Sequence, residues 1–168
     1  VLICDVSRSM ELYSRFLLQF MFAFQKLFSR IDAFVFSTRL YHISEELKEE
    51  NVDQALTAVM DKVHSWSGGT QIGNSLQQFR QEYAHKALTN KTLTLILSDG
   101  WDNGDPELVA DNMKFIKNRS LKVLWLNPLA GNSNWKPEVQ AMRAALPYLD
   151  GLLPFHNLAD LEEVVKGI

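Results

Sequence analysis

An aspartate and two serines at alternating positions, Asp5-Val6-Ser7-Arg8-Ser9, follow the short apolar run Val1 to Cys4. Read physically, a strand stops there and a turn carries one carboxylate and two hydroxyls toward one point. Two later stretches can complete that point: Gly68-Gly69-Thr70, and Ser98-Asp99-Gly100 at the end of the apolar run Leu93 to Leu97. Asp5, Ser7, Ser9, Thr70 and Asp99 then make an all-oxygen set. Such a set suits a hard divalent cation, Mg²⁺ first, with Mn²⁺ or Ca²⁺ as alternatives. Zn²⁺ more often recruits Cys or His, and neither stands in these motifs. Only two of the five side chains are charged, so the cation is barely neutralised. An open coordination position would favour a carboxylate brought by another molecule, which is recognition chemistry.

Those residues need elements to carry them. Strand and helix patterns alternate along the chain, which predicts a parallel sheet covered on both faces. A first helix over about Glu11 to Ser29 carries Leu12, Phe16, Phe20, Phe24 and Leu27 at helical spacing, flanked by Leu17, Met21 and Phe28. A stripe that wide predicts burial around much of the helix. Strands are expected at Ala33–Phe36 and Leu40–Ile43. The link Ser37-Thr38-Arg39 is too short for a parallel crossover, so the two form an antiparallel hairpin at one edge. Helices follow from Asn51 to about Val63, and through Ile72, Leu76, Phe79 and Tyr83. Leu93–Leu97 reads as a central strand. Asp105-Pro106-Glu107 opens a helix to about Arg119, with Asp as N-cap and Pro in the first helical position. Then come a strand over Leu121–Leu126, a loop from Asn127 to Lys136, a helix from about Pro137 to Leu146 and a short strand near Leu152–Phe155. Leu161, Val164, Val165 and Ile168 mark a last helix. The expected fold class is α/β: a Rossmann-like, doubly wound, mostly parallel sheet with one antiparallel edge strand and helices on both faces. In such sheets ligands sit beyond the carboxyl ends of the strands, where strand order reverses. Asp5 and Asp99 meet there if their strands are neighbours.

The 168 residues fit one domain spanning 1–168 with a substantial core. The chain lacks an initiator Met and begins inside a strand, so we expect a C-terminal portion of a longer protein, and the absence of a signal peptide carries no information. A net charge of −3 supplies no basic stripe for phosphates, which argues against nucleic acid as the main partner. The longest uncharged apolar segment, Phe16 to Gln25, falls well short of the roughly 20 residues a membrane span needs. Cys4, the one cysteine, lies in a buried strand where it acts as a small hydrophobe.

Asp5-Val6-Ser7-Arg8-Ser9, Thr70 after paired glycines, and Asp99 resemble the metal-ion-dependent adhesion site of von Willebrand factor type A (VWA) domains, in all five positions and over nearly the whole chain. Within that superfamily, Trp66-Ser67-Gly68-Gly69-Thr70 and the run Leu97 to Pro106 resemble the CoxE-like group, accessory proteins of carbon monoxide dehydrogenase maturation and their relatives. The resemblance implies a non-catalytic, metal-dependent protein-interaction module. It also implies an intracellular, cytoplasmic prokaryotic setting, with a MoxR-type AAA+ ATPase and a metalloenzyme client as partners and a partner Asp or Glu completing the metal shell. The alternative is a Mg²⁺-dependent phosphoryl-transfer or hydrolytic enzyme. Against it, Asp5-Val6-Ser7 lacks the second carboxylate of Asp-x-Asp phosphatases, and there is no phosphate-binding Gly-rich loop after the first strand and no Gly-x-Ser-x-Gly elbow. A metal-free scaffold is disfavoured by the five intact positions. Trp66 and Trp101 flank two of the site loops, either as an aromatic rim or packed beneath their loops. Asp102 could support the metal ligands from behind but reads more readily as a turn residue, His64 reads as a polar helix end, and Arg8 as either a carboxylate partner or a solvated charge.

Overall fold

The protein, seen as a computed structural model, is described for residues 1–64, 69–131, 135–155 and 160. Its elements follow in chain order: β1 (Leu2–Asp5), α1 (Glu11–Leu27), β2 (Ala33–Phe36), β3 (Leu40–His42), α2 (Val52–Lys62), α3 (Ile72–Glu82), α4 (Ala84–Ala87), β4 (Leu93–Leu97), α5 (Pro106–Lys117), β5 (Lys122–Asn127), α6 (Gln140–Ala145) and β6 (Gly151–Pro154). The last expected helix, through Leu161 and Ile168, lies outside the described residues, as do Trp66 and Gly68.

The strands form one sheet in the order β3-β2-β1-β4-β5-β6. Every pairing is parallel except β2 with β3, which is antiparallel, as the three-residue link requires. β1 sits between β2 and β4, with Ile3 opposite Phe34 on one side and Ile96 on the other. The chain therefore builds outward from β1 in one direction and then resumes at β4 in the other. That reversal opens a crevice beyond the carboxyl ends of β1 and β4.

Alternation along each strand splits the apolar residues between two cores. Leu2, Cys4, Val35, Leu95, Leu97 and Leu126 pack with α1 and the end of α2 on one face. Ile3, Phe34, Ile96, Val123 and Trp125 pack with α3, α5 and α6 on the other. The sheet is thus covered on both faces, and its central strands read as unbroken apolar runs for that reason.

One expectation holds only in part in α1. The stripe from Leu12 to Leu27 is covered only in its middle: Phe20 and Phe24 are buried, while Leu12 is 92% exposed and Leu27 71% exposed. Beside them the helix buries Ser14, Leu17, Leu18 and Met21. Two overlapping apolar stripes run along this helix, and packing against the sheet decides how much of each is covered. α6 is also shorter than expected: the chain stays extended at Val139 and turns into a 3₁₀ segment at Leu146–Tyr148.

α5 starts as read from the sequence. The Asp105 carboxylate accepts the Glu107 backbone N–H at 2.9 Å and Pro106 fills the first turn. Asp105→Ala should lower stability by about 1 kcal/mol, the ordinary cost of losing an N-cap, measurable as a shifted urea midpoint at unchanged m-value.

Candidate metal site

Asp5 is the last residue of β1 and is fully buried. Its Oδ1 accepts the Ser7 backbone N–H at 2.9 Å, a tight local turn that brings the chain off the strand end. Its Oδ2 accepts the Ser98 hydroxyl at 2.6 Å, across 93 residues of sequence. The Ser7 and Ser9 hydroxyl oxygens lie 3.3 Å apart, and the Ser9 side chain is near enough to the Asp99 carboxylate to favour its charged form. Four of the five residues singled out by sequence (Asp5, Ser7, Ser9 and Asp99) are therefore brought to one point.

Thr70, the fifth, is buried and reaches this group through the backbone. Its carbonyl accepts the Asn103 N–H at 3.0 Å, which ties its loop to the loop that follows Asp99. A second tie runs the same way: the Asp102 Oδ1 accepts the Ile72 N–H at the start of α3, at 2.9 Å. Asp102 is thus more than a turn residue, since it fastens the Thr70 loop to the Asp99 loop.

The Asp99 loop is held from below as well. Its carbonyl accepts the Asn127 amide at 2.8 Å, and the Ser98 carbonyl accepts the indole N–H of fully buried Trp125 at 2.9 Å. Gly100 takes φ of +83°, and its N–H donates to the Ser98 hydroxyl at 3.0 Å. Ser98 and Asn127 were missed as site residues by the sequence reading, and Asp102 was set aside as a turn residue. Of the two missed, Ser98 alone carried a local signal, a hydroxyl beside Asp99 at a strand end.

The electrostatics follow from burial. Desolvation, the largest cause, pushes the Asp5 carboxyl up to about 7, against the opposing pull of its Ser7 and Ser98 hydrogen bonds. Desolvation raises Asp99 as well, opposed mainly by Ser9. Among the described residues no ion pair reaches either carboxylate: the lysine and arginine pairs engage Asp53, Glu45, Glu46 and Asp150. Two adjacent buried carboxylates without a cationic side chain are costly unless a proton or a cation joins them. The donor chemistry fits a hard cation. No group of three or more His, Cys, Asp or Glu side chains gathers among the described residues, so hydroxyl and water oxygens would have to complete a shell.

Of the remaining candidates, Trp101 is 58% exposed, so it stands at the rim rather than beneath its loop. His64 and Arg8 are exposed, and Cys4 is buried as expected. No helix among the described residues is long and apolar enough to cross a membrane.

Comparison with known proteins bears on both fold and family. The sequence profile of the family described as "VWA domain containing CoxE-like protein" matches residues 1–161. Proximal thread matrix protein 1 from the mussel byssus superposes with a TM-score of 0.60 at 16% identity, over 99% of this chain and 43% of its own. Another crystal structure of that mussel protein, with a zinc-occupied MIDAS motif, gives 0.56 at 19% identity over 98% of this chain and 43% of its own. BatB from Bacteroides thetaiotaomicron gives 0.57 at 10% identity, covering 98% of this chain and 93% of its own. The chain thus spans less than half the length of the mussel protein. At these identities the superpositions establish the fold alone. No curated protein matches the chain in sequence.

Proposed function

The chain belongs to the VWA family of CoxE-like proteins, and on that premise we propose that its Asp5, Ser7, Ser9, Thr70 and Asp99 hold a divalent cation, Mg²⁺ by preference, for non-catalytic capture of a partner protein. The observation that carries this reading is the pair of buried, unneutralised carboxylates brought together around Ser7 and Ser9. When bound, the cation would supply a positive centre with an open position for a partner Asp or Glu. The chain's own part is to orient the ligand oxygens. Ser98 fixes one Asp5 oxygen, Trp101 N–H fixes one Asp99 oxygen at 3.0 Å, and Asp102 and Asn103 hold the Thr70 loop alongside. An interaction module needs this rigidity more than it needs a nucleophile.

Following the CoxE-like resemblance, the partners are a MoxR-type AAA+ ATPase and a metalloenzyme client in the cytoplasm, with this chain as the adaptor between them. A pull-down in Mg²⁺ and in EDTA tests both points. Mg²⁺-dependent enrichment of an AAA+ ATPase or a metalloenzyme is expected, with loss on chelation and with Thr70→Ala. Capture indifferent to chelator removes the metal-dependent reading.

A further inference from the structure

A cleft of about 430 Å³ opens directly beside Asp99, lined by Trp101, Leu129, Trp135, Lys136, Glu138 and Val139. We propose that it is the specificity pocket for the partner segment, taking a large apolar side chain within two residues of the carboxylate that completes the metal shell. The inference rests on the proposed metal site and adds the sequence character of what binds there.

Three observations point to this occupant. First, the cleft is continuous with the site, because Asp99 belongs to both and Trp101 follows it by two residues. Second, the walls leave apolar surface uncovered: Trp101 is 58% exposed, and Leu129, Trp135 and Val139 are only partly covered. Exposed Trp next to a polar anchor is the composition of an interface centre, where one buried side chain supplies most of the discrimination. Third, the rim carries charge of the right sign. Lys136 is exposed and is engaged in none of the salt bridges found among the described residues. Lys136 can meet one carboxylate, while Glu138 opposes a wholly acidic segment. A mixed segment, one carboxylate with an apolar neighbour, fits both.

One wall of the cleft is held in place. Asn127 ties Asp99 to Leu129, donating to the Asp99 carbonyl and accepting the Leu129 N–H at 2.8 Å. That fixed wall limits the ordering cost of binding.

The test uses glycine-based hexapeptides carrying one Asp, with a single Leu placed at each of the two positions before and after it. The peptides contain no Trp, so Trp101 and Trp135 report binding by fluorescence, alongside NMR titration in saturating Mg²⁺. At least one Leu position should bind on the order of tenfold more tightly than the all-glycine peptide, the expected worth of burying one aliphatic side chain. Trp101→Ala should erase that difference, and Trp135→Ala, a change in the cleft lining outside the loops that carry the metal ligands, should erase it while leaving the Mg²⁺-induced thermal shift unchanged. Equal binding of all peptides, no binding of any at millimolar concentration, or discrimination that survives Trp101→Ala overturns the pocket. Concentration-dependent self-association lost in Trp101→Ala would also overturn it, by assigning the cleft to a second copy. Absence of any Mg²⁺-induced shift in the unsubstituted protein would instead defeat the metal site itself, so the two failures are separable.

Discussion

Asp5→Asn is expected to abolish the Mg²⁺-induced stabilisation of this protein while making the metal-free protein more stable at neutral pH. Both halves follow from one fact: Asp5 is a fully buried carboxylate with no cationic side chain beside it. Asparagine preserves size and leaves an oxygen for the Ser7 N–H, and the Ser98 hydroxyl can accept from its amide. What disappears is the charge. The folded, metal-free carboxyl is raised to about 7 from 3.8, so the folded state holds its proton more tightly than the unfolded chain. Its contribution is therefore fully present below about pH 4 and is lost as pH rises toward 7. In EDTA, the stability of Asp5→Asn relative to the unsubstituted protein should grow between pH 4 and pH 7, reaching a few kcal/mol as an order of magnitude. Adding Mg²⁺ narrows the difference, because a ligand at a hundred times its Kd stabilises by about 2.7 kcal/mol, and only the protein with the Asp5 charge gains it. Urea titrations at pH 5 and pH 8, with and without Mg²⁺, read all four corners. An Asp5→Asn protein that still responds to Mg²⁺, or a difference that shrinks with rising pH, would refute the electrostatic account.

Gly100→Ala should be among the more damaging single changes, and its cost has two separable parts. The residue sits at φ +83°, where a side chain costs roughly 1–2 kcal/mol through crowding with the backbone. Its new Cβ would also lie 2.4 Å from Met142 Cγ and 2.7 Å from Sδ. Met142 is fully buried on α6, so it can yield only by disturbing the core, an overpacking cost of about 1–3 kcal/mol. A total on the order of 2–5 kcal/mol is expected. A double-mutant cycle with Met142→Ala separates the parts: the steric portion should vanish in the double variant and the backbone portion should remain. Because Gly100 adjoins Asp99, the same change should weaken Mg²⁺ binding. Destabilisation below about 0.5 kcal/mol would show that the loop relaxes more easily than its contacts imply.

Much of the architecture could be read without coordinates because its signals are local. A three-residue link forced β2 and β3 into an antiparallel edge, continuous apolar runs marked strands buried on both faces, and Asp105-Pro106 announced α5. Asp5, Ser7, Ser9, Thr70 and Asp99 stood out for the same reason: oxygen-bearing residues clustered where apolar runs stop. Other features needed the third dimension. Leu12 and Leu27 fit a helical period as well as Leu17 and Met21 do, and only the presence of the sheet decides which of these positions are covered. Ser98 reaches Asp5 across 93 residues, and Asp102 reaches Ile72 across 30. Neither bond is implied by composition or spacing, because it exists only once β1 and β4 lie side by side. The sequence by itself determined which side chains offer oxygen and where the chain turns. Tertiary structure decided how those turns are fastened to one another and that two of the carboxylates are buried without a countercharge, since both follow from strand order and packing at distances no local pattern encodes.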